Sequence, residues 1–127
     1  MIVLDSWALL AYLNNEPAAA RIETEWRAEG AAISSVNLGE VLYIRMRASD
    51  DQLARAEVEE IRKLITVIDP DWPMVAAAAE VKAVGGLSYA DAFCISAARR
   101  LEAPLWTGDP EILGQAGRYG CEIVDLR

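Results

Sequence analysis

The hydrophobic positions of this chain fall into two alternating patterns. Short apolar runs rich in β-branched residues are separated by longer stretches whose apolar residues recur every three or four positions. Residues 2–4, 31–34, 64–68, 105–107 and 122–124 read as five strands. Runs this short and this apolar suit strands covered on both faces, as in a parallel sheet. Helical spacing predicts helices over 6–14, 17–28, 37–47, 50–63, 72–84 and 88–101, and a last short one beginning at Pro110. In the fourth of these, Leu53, Ala56 and Ile61 are expected to face the core. Strands alternating with helices imply βαβ units. The expected architecture is an α/β fold, a three-layer α/β/α sandwich on a mostly parallel sheet of about five strands.

Length and composition narrow the class. A chain of 127 residues suggests one domain over 1–127, able to bury roughly two-thirds of its surface. Apolar residues make up 54% and charged residues 25%, which excludes a disordered or collagen-like chain. Lys and Arg number 12 against 20 Asp and Glu, a net charge of −8, which excludes nucleic-acid binding through bulk positive charge. Histidine is absent, and with it any Ser-His-Asp triad, Cys-His dyad or imidazole-bound zinc site. Cys94 and Cys121 form neither a disulfide framework nor a CxxC site and read as small core residues. The opening residues lack the basic and apolar regions of a signal peptide, and no run approaches the ~20 apolar residues of a membrane span. A cytoplasmic location is the expectation, with no membrane partner.

The positions of four acids are informative. Asp5 ends the first strand and Asp109 directly follows the fourth. Glu40 and Asp91 are expected one turn into their helices. Ligands of open α/β sheets bind at the carboxyl ends of the strands, the edge on which all four acids can meet. Each acid also has a purely structural explanation. Asp5 suits an N-cap, and Asp109-Pro110 is a common helix start. Asn37-Leu38-Gly39-Glu40 and Ser88-Tyr89-Ala90-Asp91 both read as capping boxes or close variants. The two roles are compatible. Carboxylates that meet must relieve about 4 kcal/mol of repulsion per close pair. They can take up protons, pair with Arg or Lys, or bind hard divalent cations through oxygen. No basic residue adjoins any of the four in sequence, so the all-oxygen metal site is favoured.

These residues resemble the PIN domain, and within it the VapC-type toxins. Val3-Leu4-Asp5-Ser6, with an apolar helix behind it, resembles the first acidic motif of that family. The stretch from Ser34 to Val41 resembles the second, Leu87 to Ala98 the third, and Leu105-Trp106-Thr107-Gly108-Asp109 the fourth. The motifs stand in the family's order along the whole chain. The resemblance implies Mg²⁺- or Mn²⁺-dependent cleavage of RNA, with Asp5, Glu40, Asp91 and Asp109 as the catalytic, metal-holding acids. Ser6 and Thr107 match supporting hydroxyl positions, for which backbone capping is the alternative. It also implies a VapB-type antitoxin partner and a homodimer.

Specific expectations follow from that likeness. Without the four acids the charge of −8 would fall only to −4, so RNA capture must use local cations. Arg45 and Arg47 follow Glu40 on its helix, and Arg99 and Arg100 close the helix that holds Asp91. Trp7, Leu10, Tyr12 and Leu13, with Ile22 and Trp26, are candidates for an antitoxin groove, Trp7 or Tyr12 being the expected exposed members. The alanines of Val75 to Ala79 are a candidate dimer face. A haloacid-dehalogenase-type phosphatase would need an acid where Trp7 stands, and a response-regulator receiver would need paired early acids that are not evident. The remaining alternative is a catalytically silent PIN-like module that binds RNA or protein; it would be expected to have lost a site acid.

Overall fold

Neighbouring residues of the first apolar run face opposite layers, as the two-residue repeat of a strand demands. Ile2 and Leu4 join one hydrophobic cluster and Val3 the other. The computed structural model describes residues 1–127. Its strands are β1 (Ile2–Leu4), β2 (Ala31–Ser34), β3 (Thr66–Ile68), β4 (Leu105–Thr107) and β5 (Ile123–Asp125). They form one sheet in the order β3-β2-β1-β4-β5, parallel at every pairing. The helices are α1 (Ser6–Leu13), α2 (Ala19–Glu29), α3 (Ser35–Ala48), α4 (Asp51–Leu64), α5 (Trp72–Val84), α6 (Tyr89–Leu101) and α7 (Pro110–Leu113).

The two faces of the sheet carry separate cores, which gives the three-layer sandwich. One packs Ile2, Leu4, Ile33 and Trp106 against Leu9 of α1, Ile22 of α2, Val41 of α3 and Val58 of α4. The other packs Val3, Ala32 and Leu105 against Met74 and Ala78 of α5 and a long buried stretch of α6. Every residue of α6 from Asp91 to Ala98 is buried, because the helix lies under α5, α3 and the sheet at once. No helix is long and apolar enough to cross a membrane.

Local differences from the expected elements have local causes. The third strand starts at Thr66 rather than at residue 64, because α4 runs on through Leu64, whose side chain points outward and is 67% exposed. The core face of α4 is Ala54, Val58 and Ile61, an i, i+4, i+7 stripe, while Leu53 and Ala56 face out. The last strand is shifted by one residue, to Ile123–Asp125. The largest change is in α3. It begins at Ser35, directly behind β2, with Ser34 Oγ accepting the Val36 N–H at 3.2 Å as its N-cap. The capping box expected at Asn37 to Glu40 is therefore absent, and Glu40 sits in the second turn rather than the first. Of the alanines from Ala76 to Ala79 only Ala78 is buried within the chain, Ala76 and Ala77 are half-buried and Ala79 is exposed, and α5 is tied to α6 by Ser96 Oγ, which donates to the Met74 carbonyl at 2.9 Å.

Candidate functional site

The strand order fixes where a ligand crevice can form. From the central β1 the chain moves outward through β2 and β3, then returns to β4 and β5 on the other side. The carboxyl ends of β1 and β4 thus flank the topological switch point. Asp5 and Asp109 stand there, each immediately beyond or one residue beyond its strand.

Asp5 is 1% exposed and makes two structural contacts. Its Oδ1 accepts the Ala8 N–H at 2.8 Å and caps α1. Its Oδ2 accepts the Thr107 hydroxyl proton. The register explains that second contact: Leu4 pairs with Trp106, so the next residues, Asp5 and Thr107, arrive side by side. Burial pushes the Asp5 pKa up to about 7. Hydrogen bonds from Thr107 and Ala8 oppose the rise, and the charges of Asp109 and Asp91 add to it.

Thr107 also accepts the Asp109 N–H at 2.9 Å, which closes the turn through Gly108. Asp109 Oδ1 in turn accepts the Glu111 N–H at 2.9 Å and caps α7 ahead of Pro110. Gly108 leaves room for the Trp7 indole: a Cβ there would lie 2.3–2.6 Å from three ring carbons. Trp7 thus braces the turn that carries Asp109.

Asp91 is the third residue of α6, and Ser88 Oγ accepts its N–H at 3.1 Å as the N-cap. The side chain is buried at 7% exposure. Burial chiefly raises its pKa to about 6, with further push from the charges of Asp109, Glu40 and Glu111 against the pull of Ser88. Glu40 is half-buried on α3, and Ser6 Oγ donates to its Oε1 at 2.9 Å. Asn37, a turn earlier, is fully buried and donates to the Ala90 carbonyl at 2.9 Å. Sequence reading passed over Asn37 as a cap. The available signal was its i, i+3 spacing to Glu40, which puts both on one helix face.

The fold therefore gathers four acids from four distant segments into one electrostatic neighbourhood. None is paired with a cation: the six ion pairs of the chain use Glu23, Glu57, Glu59, Glu60, Asp71 and Asp125. The raised pKa values of Asp5 and Asp91 record their burial first and that uncompensated charge second. No three carboxylates stand close enough to hold one ion among them. The donor set still fits a hard cation in its chemistry, being all oxygen and unneutralised. Mg²⁺ is commonly bound by one or two carboxylates and keeps waters in its other positions.

The basic and aromatic residues divide. Arg45 is committed to Glu57 through two contacts of 2.7 and 3.1 Å, and Arg100 to Asp71 at 2.7 Å, so neither is free for RNA. Arg47 makes no ion pair and lies 4.9 Å over the ring of exposed Tyr43. Arg99 makes none either and lines two adjoining clefts of about 480 and 400 Å³, neither of which contains any of the four acids. Trp7 and Tyr12, the expected exposed aromatics, are both half-buried, Trp7 against Gly108 and Tyr12 against Trp26 at a ring separation of 5.2 Å. The exposed large apolar residues are instead Met1, Tyr43, Leu53, Leu64, Trp72, Val84, Tyr89 and Leu101. Tyr12, Trp26 and Leu64 line a small cleft of about 230 Å³ together with Glu23 and Arg27.

Solved structures share this fold. A toxin-antitoxin complex from Klebsiella pneumoniae superposes with a TM-score of 0.77 at 17% identity, over 100% of this chain and 98% of that one. DNA-bound VapBC from Salmonella typhimurium gives 0.77 at 19% identity, over the full length of both. VapC20 from Mycobacterium tuberculosis, described as a sarcin-ricin loop cleaving toxin, gives 0.73 at 17% identity, over 91% of this chain and 95% of that one. A comparison with curated protein sequences gave no match. The PIN domain family matches residues 2–118, which takes in all four acids and all but the last strand. With the sheet order, the placement of the acids and that match in agreement, the chain belongs to the PIN domain family.

Proposed function

We propose that this chain is a VapC-type toxin, an endoribonuclease that uses Mg²⁺ or Mn²⁺ at the edge formed by Asp5, Glu40, Asp91 and Asp109. The observation that carries this reading is a set of unpaired, mutually repelling carboxylates at the switch point of a PIN fold, two of them with raised pKa. A divalent cation bound there would supply positive charge near the scissile phosphate and lower the pKa of water. Asp5 and Asp91 would be its principal holders, with Asp109 beside them. Glu40, which accepts a hydrogen bond from Ser6, would orient water or help hold a second ion. Thr107 keeps the Asp5 carboxylate aimed and ties it to the Asp109 turn. With no histidine in the chain, proton transfer falls to water and these carboxylates.

RNA capture is assigned to Tyr43 and Arg47, which lie one and two turns past Glu40 on α3, and to Arg99. A VapB-type antitoxin is the partner that would silence the chain, with an apolar segment over the Tyr12–Trp26–Leu64 cleft. A homodimer is part of the same reading. The absence of any three-carboxylate cage favours a second reading, a silent PIN-like module that binds RNA or protein without cutting.

One assay separates the two. Partner-free protein should cleave RNA with Mg²⁺ or Mn²⁺ and stop with EDTA, and Asp5→Asn and Asp91→Asn should each abolish cleavage. RNA left intact by the parent at every divalent-ion concentration, or cut equally by the variants, would remove the nuclease reading.

A further inference from the structure

Asn37 is a costly residue for the place it occupies. It is fully buried, and its Oδ1 is the one buried side-chain polar atom in the chain with no hydrogen-bond partner. Buried polar groups are almost always satisfied, so an orphan calls for a reason. A position that only needed filling would be better served by an apolar side chain of similar size.

Its amide nitrogen makes contacts that do not look like filling. Nδ2 donates to the carbonyl of Ala90, the residue before Asp91, at 2.9 Å, and to Glu40 Oε1 at a longer 3.5 Å. One side chain thus ties α3, which carries Glu40, to the first turn of α6, which carries Asp91. Glu40 is held from the other side by Ser6 Oγ at 2.9 Å. The Asn37 bridge is the one hydrogen bond between α3 and α6 near the site, so apart from helix packing it alone opposes the repulsion between Glu40 and Asp91.

We infer that Asn37 is a positioning residue of the acidic edge: its Nδ2 bridge to the Ala90 carbonyl sets the separation of Glu40 and Asp91. The inference rests on the cation-dependent reading above.

The test compares Asn37→Leu with the parent by Mn²⁺ titration calorimetry and by thermal unfolding in EDTA. Leucine removes both polar functions and keeps the branched shape and the number of heavy atoms. The expected result is a Mn²⁺ dissociation constant raised roughly 10- to 100-fold, the usual effect of losing a residue that orients ligands, with a metal-free Tm equal to or above the parent's. If the leucine variant does not fold, Asn37→Ser, too short to reach Ala90, is read by the same criterion. Unchanged Mn²⁺ affinity in the folded variant overturns the inference while leaving the nuclease reading intact. A parent that binds no Mn²⁺ and cuts no RNA brings down that reading and this inference with it.

Discussion

Replacing Asp5 with asparagine should make the protein more stable, and more so at higher pH. Asp5 is 1% exposed, and its pKa stands at about 7 against an ordinary 3.8. The folded chain therefore holds this proton more tightly than the unfolded one. Stability from that grip is fully present below about pH 4 and is lost as pH rises to about 7. At roughly 1.4 kcal/mol per pKa unit, the loss amounts to about 4 kcal/mol. Asparagine has no charge to bury. Its carbonyl can keep the Ala8 N–H bond, while its amide faces Thr107 Oγ1 with the donor reversed, at a cost of about 1 kcal/mol. The variant should gain less than about 1 kcal/mol at pH 5 and about 3 kcal/mol at pH 8 by the same linkage. For a chain of this length the pH 8 gain is roughly 10 °C in Tm. The assay is thermal unfolding followed by circular dichroism in EDTA, at half-unit steps from pH 5 to pH 8. A Tm difference that does not change with pH would refute the argument, because the stabilisation would then have nothing to do with buried charge. A variant several degrees less stable at pH 8 would show that Asp5 serves chiefly as a cap.

Four further outcomes can be measured directly. Thr107→Val removes the donor to Asp5 and the acceptor for the Asp109 N–H; it should cost about 1–3 kcal/mol in urea unfolding and move the pH-dependent loss of stability upward, and an unchanged midpoint of that loss would contradict the role given to the hydroxyl. Gly108→Ala drives a methyl against the Trp7 ring and should cost about 1–3 kcal/mol, a loss that Trp7→Ala in the same chain should largely relieve; equal denaturation midpoints for parent and Gly108→Ala would deny the contact. Arg47→Ala should weaken RNA binding in a gel-shift titration while moving Tm by no more than about 1 °C, as expected of an exposed side chain, whereas Arg45→Ala should lower stability through its lost Glu57 pair; the reverse assignment would mean that the wrong arginine was matched to RNA. Burial holds the Cys94 thiol well above its ordinary pKa, so a thiol reagent at pH 7 should leave it untouched in the native protein and label Cys121 alone; two thiols modified at equal rates would refute its burial.

The order of strands and helices, the two-faced burial of the sheet and the caps at Asp5, Ser88 and Asp109 were all legible in the sequence, because each depends on periodicity or on the chemistry of adjacent residues. Boundaries were legible only where a breaker marks them. Nothing local ends α4 before Leu64 or starts α3 at Asn37, since continuation of a helix by a few residues is decided by what its outer face meets. The fate of the arginines was likewise hidden: Arg45 and Arg47 are two residues apart, yet one faces Glu57 across a helix pair and the other lies over Tyr43 in solvent. Asn37 had only its spacing to Glu40 as a mark, because an amide at a helix start looks like a cap until the strand before it is seen to lead straight into the helix. Chain order alone thus determined the succession of strands and helices and the ends that a breaker marks. Only the tertiary structure decided that β1 and β4 lie side by side, and with that pairing came the contact of Asp5 with Thr107; packing also decided the burial that lifts the Asp5 and Asp91 carboxyls above their ordinary range, and the bridge from Asn37 to Ala90. Proximity across tens of residues is a property of packing, and no local pattern encodes it.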